Sequence, residues 1–413
     1  MCGRFDAGAA SEPLGLVSLQ GAPIGPVGPI GPIPQPRPEM SYIPKRRYAH
    51  TRLLLAPLIF VAILFLQQPK QLTEKMKNKV KWGVLSTANI GMKKVLPAMQ
   101  RGEWCEIAAM ASRDLKRAQA AAAELGIAKA YGSYDELLAD PEIEAIYNPL
   151  PNHLHVPLTI KAAEAGKHVL CEKPISMTTE EAVTLLAARN RTGVKIEEAF
   201  MVRSHPQWLK AVELVQSGKI GKVRSIAGGF SYNNHDPKNI RNIIEYGGGG
   251  MMDIGCYLIY TSRLIFGEEP TRVVGVIEED PDLRTDILSS GVLHYPSGHC
   301  VFTCSTQIVP YQKVQIFGTK GRIEIEIPFN APPDKPCRIF VDDGADPSGR
   351  SAEVIEFEIV DQYTIQGDLF SQSIREDTEL PVSLEGSIKN MAIIEAVFRS
   401  AKTSQWEKPV VPA

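Results

Sequence analysis

Val80-Lys81-Trp82-Gly83-Val84-Leu85-Ser86-Thr87-Ala88-Asn89-Ile90-Gly91 reads as a short apolar strand that ends in a tight turn, and Met92 to Met99 continues it as a helix. A strand turning directly into a helix is the opening unit of a dinucleotide-binding sheet. In such a turn, glycines at three spaced positions allow the bend, the close approach of a pyrophosphate and the packing of the helix. Here those positions hold Ser86, Ala88 and Gly91. Small residues keep much of the room, so the motif is weak alone and draws its strength from its surroundings.

Working outward, a second apolar run, Cys105 to Ala111, ends in Ser112-Arg113-Asp114. An Ala-rich helix (115–125) follows, then alternating strands and helices: strand at Ala130-Tyr131, helix 134–138, strand 144–147, helix 153–165, strand 168–170, helix 178–191 and strand 194–197. Thr178-Thr179-Glu180-Glu181 supplies an N-cap and first-turn acids for the last of these helices. This alternation predicts a parallel, doubly wound sheet over residues 79–199. The end of the second strand is where an acid would accept from the ribose 2′-hydroxyl of NAD. A hydroxyl and a guanidinium stand there instead, Ser112 and Arg113, which suits the 2′-phosphate of NADP.

Two later strand ends carry chemistry. Pro149-Leu150-Pro151-Asn152-His153-Leu154-His155 is a proline-stiffened loop in which Asn152 either caps the next helix or lies under a nicotinamide. Cys171-Glu172-Lys173-Pro174 ends the following strand. Pro174 bars the α region for Lys173, so the ammonium projects from a stiff corner at the carboxyl edge of the sheet, where ligands of such sheets bind.

After residue 199 the pattern changes. Glu198-Ala199-Phe200-Met201-Val202-Arg203-Ser204-His205-Pro206-Gln207 leads into a helix, and Val223 to Tyr232 alternates as a strand. Gly247-Gly248-Gly249-Gly250 then precedes a helix bearing Asp253 and Tyr257, four residues apart and so on one face. From Arg272 to Glu358 alternating runs predict a large, open, mostly antiparallel sheet, closed by helices at 363–376 and 384–404. The expectation is an α/β chain with an α+β C-terminal domain over 200–413. Such a sheet has a second face to cover, which points to a homodimer or homotetramer.

Residues 1–78 differ in kind. Ala22 to Pro38 is a Gly/Pro/Ile run unable to bury a core, and Lys45-Arg46-Arg47 precedes an apolar run at 53–66. That run is short of the about 20 residues a membrane span needs. The first strand begins just after Met76, so an early-assigned start and a cytoplasmic protein are expected, with a membrane-anchored protein or one exported through the N-terminal extension as the alternative. The whole chain has 413 residues, net charge −2 and seven cysteines without a C-x-x-C pair. The balanced charge argues against nucleic acid, and the scattered cysteines argue for reduced thiols and against a structural metal.

The turn at Ser86–Gly91, Pro151-Asn152-His153, Glu172-Lys173-Pro174 and the pair Asp253/Tyr257 together resemble the glucose-fructose oxidoreductase / inositol dehydrogenase (Gfo/Idh/MocA) family, from about Val80 to the C-terminus. The tyrosine at 257 and the Ser112-Arg113 pair are similar to the branch of NADP-xylose dehydrogenase, dihydrodiol dehydrogenase and glucose-fructose oxidoreductase. The resemblance implies a Rossmann domain, and a hydride transfer between NADP and a sugar-like polyol or aldose. It implies Lys173, Tyr257 and Asp253 as catalytic residues: Tyr257 as general base with its phenol lowered in pKa by Lys173, and Asp253 either orienting Tyr257 or holding a neighbouring substrate hydroxyl. Cofactor contacts are expected from Ser86, Thr87, Ala88, Asn89, Ile90, Ser112, Arg113, Pro149, Asn152, His155, Glu172 and Lys173. Substrate contacts are expected from Lys173, Arg203, His235, Asp253 and Tyr257, with His205, Asn233 and Asn234 nearby. Rival readings are a trans-dihydrodiol dehydrogenase, a glycosidase with a retained NAD, and a non-catalytic NAD(P)-binding regulator.

Overall fold

A computed structural model describes residues 78–412; the Gly/Pro run and the apolar segment at 53–66 lie outside the described residues. Six strands, β1 (Val80–Leu85), β2 (Cys105–Ala111), β3 (Lys129–Tyr131), β4 (Ala145–Asn148), β5 (His168–Cys171) and β6 (Ile196–Glu198), form a parallel sheet in the order β3-β2-β1-β4-β5-β6. The order reverses between β1 and β4, which opens a crevice at the carboxyl ends of those strands. The strands are near-continuous apolar runs because both faces are covered: Val80, Trp82, Val84 and Leu85 of β1 are all fully buried. The caps are those the sequence offers. Asp114 accepts from the amides of Lys116 and Arg117 at one helix start, and Thr178 accepts from Glu181 at another. The first helix departs from the expected regular one: a π turn, Gly91–Val95, precedes the α-helical Leu96–Arg101.

One covering element comes from far along the chain. Helix Gln362–Glu376 returns to lie on the first sheet, where the Trp82 indole donates to Ser371 Oγ at 3.1 Å and stacks at a tilt on Phe370, ring centroids 5.2 Å apart. Asp368 accepts the amides of Glu103 and Trp104, and Arg375 grips Glu144 through two nitrogens.

The second sheet has eight strands: β7 (Val223–Asn233), β8 (Arg272–Glu279), β9 (Asp286–His294), β10 (His299–Ser305), β11 (Gln307–Gly318), β12 (Arg322–Ile325), β13 (Arg338–Asp342) and β14 (Glu353–Glu356). Their order is β14-β13-β12-β11-β7-β10-β9-β8, and only the β7–β10 pair is parallel. β11 begins at Gln307, six residues before the Lys313 start that alternation predicts, because a register shift between Gln307 and Tyr311, around Pro310, breaks the period of two. Helices Cys256–Phe266 and Leu384–Thr403 cover one face. They approach at Gly228 and Gly275, where an added Cβ would fall 2.5 Å from Leu258 and 2.6 Å from Val397. The other face leaves Val276, Val301 and Tyr311 exposed. Among the described residues, six cysteines are free and buried, and no helix is long and apolar enough to cross a membrane.

β6 ends in two buried carboxyls, Glu197 and Glu198, each with one oxygen lacking a hydrogen-bond partner among the described residues. Burial pushes Glu197 up to about 8 and Glu198 up to about 7. Both folded-state values lie above the ordinary carboxyl range, so the stability these groups contribute is complete below about pH 4 and is lost as pH rises through 7 to 8. Replacing Glu197 by Gln removes its share of that loss. Relative to wild type, Glu197→Gln is expected to gain stability steadily between pH 5 and pH 8 and to level off above it, the gain being roughly 1 kcal/mol or more, read from urea unfolding at each pH. A constant difference across that range would show that the carboxyl does not titrate there.

Candidate active site

The crevice beside β1 and β4 continues into a cavity between the two sheets. The groove, of about 590 Å³, is lined by Ser86, Thr87, Ala88, Asn89, Ile90, Ser112, Arg113, Arg117, Tyr134, Pro149, Leu150, Pro151, His153 and Leu154, and also by Asp236, Lys238, Asn239, Ile240, Arg241 and Tyr246. The cavity, of about 400 Å³, is lined by Glu172, Lys173, Met201, Phe230, Tyr232, Asp253, Tyr257, Asn330 and Tyr363, and shares Ile90, Pro149, Leu150, Ile240, Arg241 and Tyr246 with the groove.

The groove fits a dinucleotide. Ser86 has φ +116°, a region that favours glycine, so the turn keeps the backbone shape of the glycine fingerprint although it lacks the glycine. Ser112 is buried at the end of β2, and neither Arg113 nor Arg117 is in an ion pair among the described residues. The aromatic ring of Tyr134 lies near both guanidiniums; burial raises its phenol and the two arginines oppose that.

At the cavity floor, Lys173 Nζ donates to the Asp253 carbonyl at 2.7 Å and to Asp253 Oδ1 at 3.1 Å. The Lys173–Pro174 peptide is cis. Asp253 Oδ2 accepts from the Tyr232 hydroxyl at 2.7 Å and from Arg241 Nε at 2.9 Å. Burial alone would push the Asp253 carboxyl up, but the Arg241 and Lys173 cations and the Tyr232 hydrogen bond outweigh it and hold it below the usual carboxylate range. Burial also works against the Lys173 ammonium, yet Asp253 outweighs it, and Lys173 stays above its ordinary value. Glu172 accepts from the buried Tyr147 hydroxyl at 2.7 Å, and burial raises its carboxyl.

Tyr257 is placed differently from expectation. Its hydroxyl donates to Met201 Sδ at 3.3 Å, and its ring lies among Phe200, Phe230 and Phe329 with Lys173 Nζ 5.0 Å from the centroid. Burial pushes the phenol well above its ordinary value rather than below it. Asp253 does not orient it, because both carboxylate oxygens are engaged by Lys173, Tyr232 and Arg241. Asn152 does not cap its helix; its amide donates to the Gly247 carbonyl at 2.8 Å. His155 borders the cavity, but both ring nitrogens face backbone carbonyls, of Pro174 at 2.6 Å and Leu150 at 2.7 Å, so it pins the two loops together.

Two expected substrate residues lie elsewhere. The short turn Met201–Ser204 sends Met201 into the cavity and Arg203 into a separate depression beside Tyr260 and Arg263. His235 is exposed and borders neither space, and its neighbour Asn234 reaches the cavity instead. His205 is buried as the N-cap of helix Pro206–Gln216, and Asn233 is exposed at the end of β7, paired with Gln307. Arg117, Tyr232, Arg241, Tyr246, Asn330 and Tyr363 also line these spaces and are not among the residues expected there. Tyr232 had a signal, since Phe230 and Tyr232 share one face of an alternating strand; Arg241, alone in a polar loop, had none.

Residues 80–200 match the oxidoreductase family with an NAD-binding Rossmann fold, and residues 208–324 match the Gfo/Idh/MocA C-terminal domain. An uncharacterised oxidoreductase of Rhizobium meliloti is 48% identical over 329 residues, which cover 79% of this chain and 98% of the relative. This chain belongs to the Gfo/Idh/MocA family. D-xylose 1-dehydrogenase (NADP(+)) of Haloferax volcanii is 38% identical over 327 residues, 78% of this chain and 97% of that one. A 3-ketoreductase from Actinomadura kijaniata, solved with NADP and TDP-benzene, superposes with TM-score 0.73 at 26% identity over 78% of this chain and 98% of its own. As a Gfo/Idh/MocA protein, the chain is an NAD(P)-dependent oxidoreductase with sugar dehydrogenases among its relatives.

The strained turn gives a test independent of activity. Ser86→Gly is expected to raise unfolding stability by roughly 1 kcal/mol, the relief of a positive φ outweighing the entropy gained by the unfolded chain. Side-by-side thermal melts measure it, and an unchanged or lower midpoint would show that Ser86 carries no strain.

Proposed function

We propose that this protein transfers a hydride between NADP and a CH–OH carbon of a sugar-like polyol or aldose, in the manner of an aldose 1-dehydrogenase acting on a substrate such as D-xylose. The observation that carries this reading is one cavity bearing a protonated Lys173 beside Tyr257, continuous with a groove that holds Ser112 and two guanidiniums without ion-pair partners among the described residues. Two arginines beside a hydroxyl match the charge and donor needs of a 2′-phosphate. The NADP named for the Haloferax dehydrogenase, and bound in the Actinomadura ketoreductase, supports the same choice.

Bound nicotinamide supplies the hydride acceptor or donor, and the chain supplies placement and proton transfer. Lys173 spends two of its three donors on Asp253 and keeps one for the reacting oxygen. The Tyr257 hydroxyl rests on Met201 Sδ, a weak acceptor that a substrate oxygen displaces. With burial keeping the phenol protonated, the resting site is set to donate a proton to a carbonyl oxygen; in the oxidative direction the Tyr257 phenol first releases its proton to solvent and then receives the hydroxyl proton beside the Lys173 ammonium. Phe230, Tyr246 and Tyr363 offer apolar faces for a sugar ring, and Asn234 and Asn330 offer amides for its hydroxyls. The exposed apolar face of the second sheet fits a homodimer.

Reduction of NADP in preference to NAD by an aldose, followed by nicotinamide absorbance, is the expected result. Lys173→Met is expected to bind NADP with near wild-type affinity and to lose roughly a hundredfold or more in kcat. Wild-type turnover in that variant would sink the assignment. Turnover of a dihydrodiol in place of aldoses would move the substrate to that alternative, and tight nucleotide binding without turnover of any substrate would favour a regulator. Sedimentation equilibrium is expected to give a mass of two chains, and a single-chain mass at micromolar concentration would exclude the dimer.

A further inference from the structure

The segment from Asn234 to Gly249 runs between the end of β7 and the turn before Asp253, and it is built as one piece. Asn242 is buried inside it and donates through Nδ2 to the carbonyls of Asn234 (3.2 Å) and Asp236 (2.9 Å). The amides of Gly248 and Gly249 close onto the carbonyls of Ile243 (3.0 Å) and Arg241 (2.8 Å). A loop whose ends meet and whose centre is filled by its own side chain holds its shape as a unit. It is latched to the first half of the molecule at two points: the Asn152 amide on the Gly247 carbonyl, and the Tyr246 ring stacked on His153 with centroids 4.6 Å apart. Gly247, at φ +78°, permits this seat, since a Cβ there would lie 2.4 Å from Met177 Sδ.

Arg241 rides on this loop at the junction of groove and cavity. Its Nε is its hydrogen-bonding atom among the described residues, and the bond goes to Asp253 Oδ2. That oxygen also receives Tyr232, while Oδ1 receives Lys173. A carboxylate held on one oxygen by a planar guanidinium and a phenol cannot swing about its own axis. Its other oxygen, and the backbone carbonyl of the same residue, then fix two of the three protons of Lys173, and the direction of the third follows.

We propose that Arg241 is a positioning residue for the reaction. Delivered by the latched loop, it sets the plane of the Asp253 carboxylate and thereby aims the free Lys173 N–H at the reacting oxygen. The inference rests on the role given to Lys173 under Proposed function.

A double-mutant cycle on the full chain tests it, with kcat and KM measured for Arg241→Met, Asp253→Asn, both together, and Arg241→Lys. Arg241→Met is expected to lower kcat roughly fiftyfold and to change KM by less than about threefold, since an interaction realised in the transition state is lost. Asp253→Asn is expected to lose at least as much, and the double variant no more than Asp253→Asn alone, because one residue acts through the other. Arg241→Lys, which retains a cation, is expected to recover roughly tenfold of the loss, which a purely structural role would not give. Losses that multiply in the double variant, or a loss confined to KM, would overturn the positioning role and leave Arg241 as a direct ligand contact. Absence of turnover in the wild-type chain with every substrate and both nucleotides would remove the reading of Lys173, and this role with it.

Discussion

An ammonium and a carboxylate, 12% and 13% exposed, meet at the floor of the cavity, and neither can be left there alone. Lys173 comes from the end of β5, Asp253 from the turn that follows the glycine run. The first is stranded unless the second half of the molecule docks, and the reverse holds as well. Around them, Arg241 and Tyr232 bond the carboxylate and the backbone carbonyl of Asp253 takes a second proton of the ammonium, leaving its third toward the cavity. The site is therefore a joint before it is a catalyst: its electrostatics need both sheets in register.

How much of this was legible in the sequence differs between backbone and site. The first sheet could be read because strands buried on both faces are unbroken apolar runs, and helix caps such as Asp114 and Thr178 mark the boundaries between them. The second sheet could be read by alternation, except where Pro310 and a register shift disturb β11. Lys173, Asp253 and Tyr257 stood out because each lies beside a backbone singularity, a proline or a run of glycines. Arg241 did not, because it works from an irregular loop whose position depends on contacts with Asn152 and His153, some ninety residues earlier in the chain. Arg203 was misplaced because it sits in a turn too short for any periodicity to say which way a side chain points.

The environment of Tyr257 shows where pattern reasoning fails for a different reason. Sharing a face with Asp253 says that two side chains leave a helix in similar directions; it does not say what receives them. Three phenylalanines surround one of these side chains, and a lysine, an arginine and a tyrosine bond the other. The same cavity thus has an aromatic wall and a charged floor, and the acidity of each group follows from which of the two it faces.

Helix Gln362–Glu376 lies on the first sheet although 289 residues separate its Ser371 from Trp82 of β1. A growing chain emerges from the ribosome N-terminus first. All six strands of the parallel sheet are therefore synthesised, with the side of Trp82 that Phe370 covers still bare, well before its cover exists. The nucleotide half of this protein cannot be finished as a free-standing unit during synthesis; it waits, with apolar surface open to chaperones or to aggregation, for the last helices to arrive.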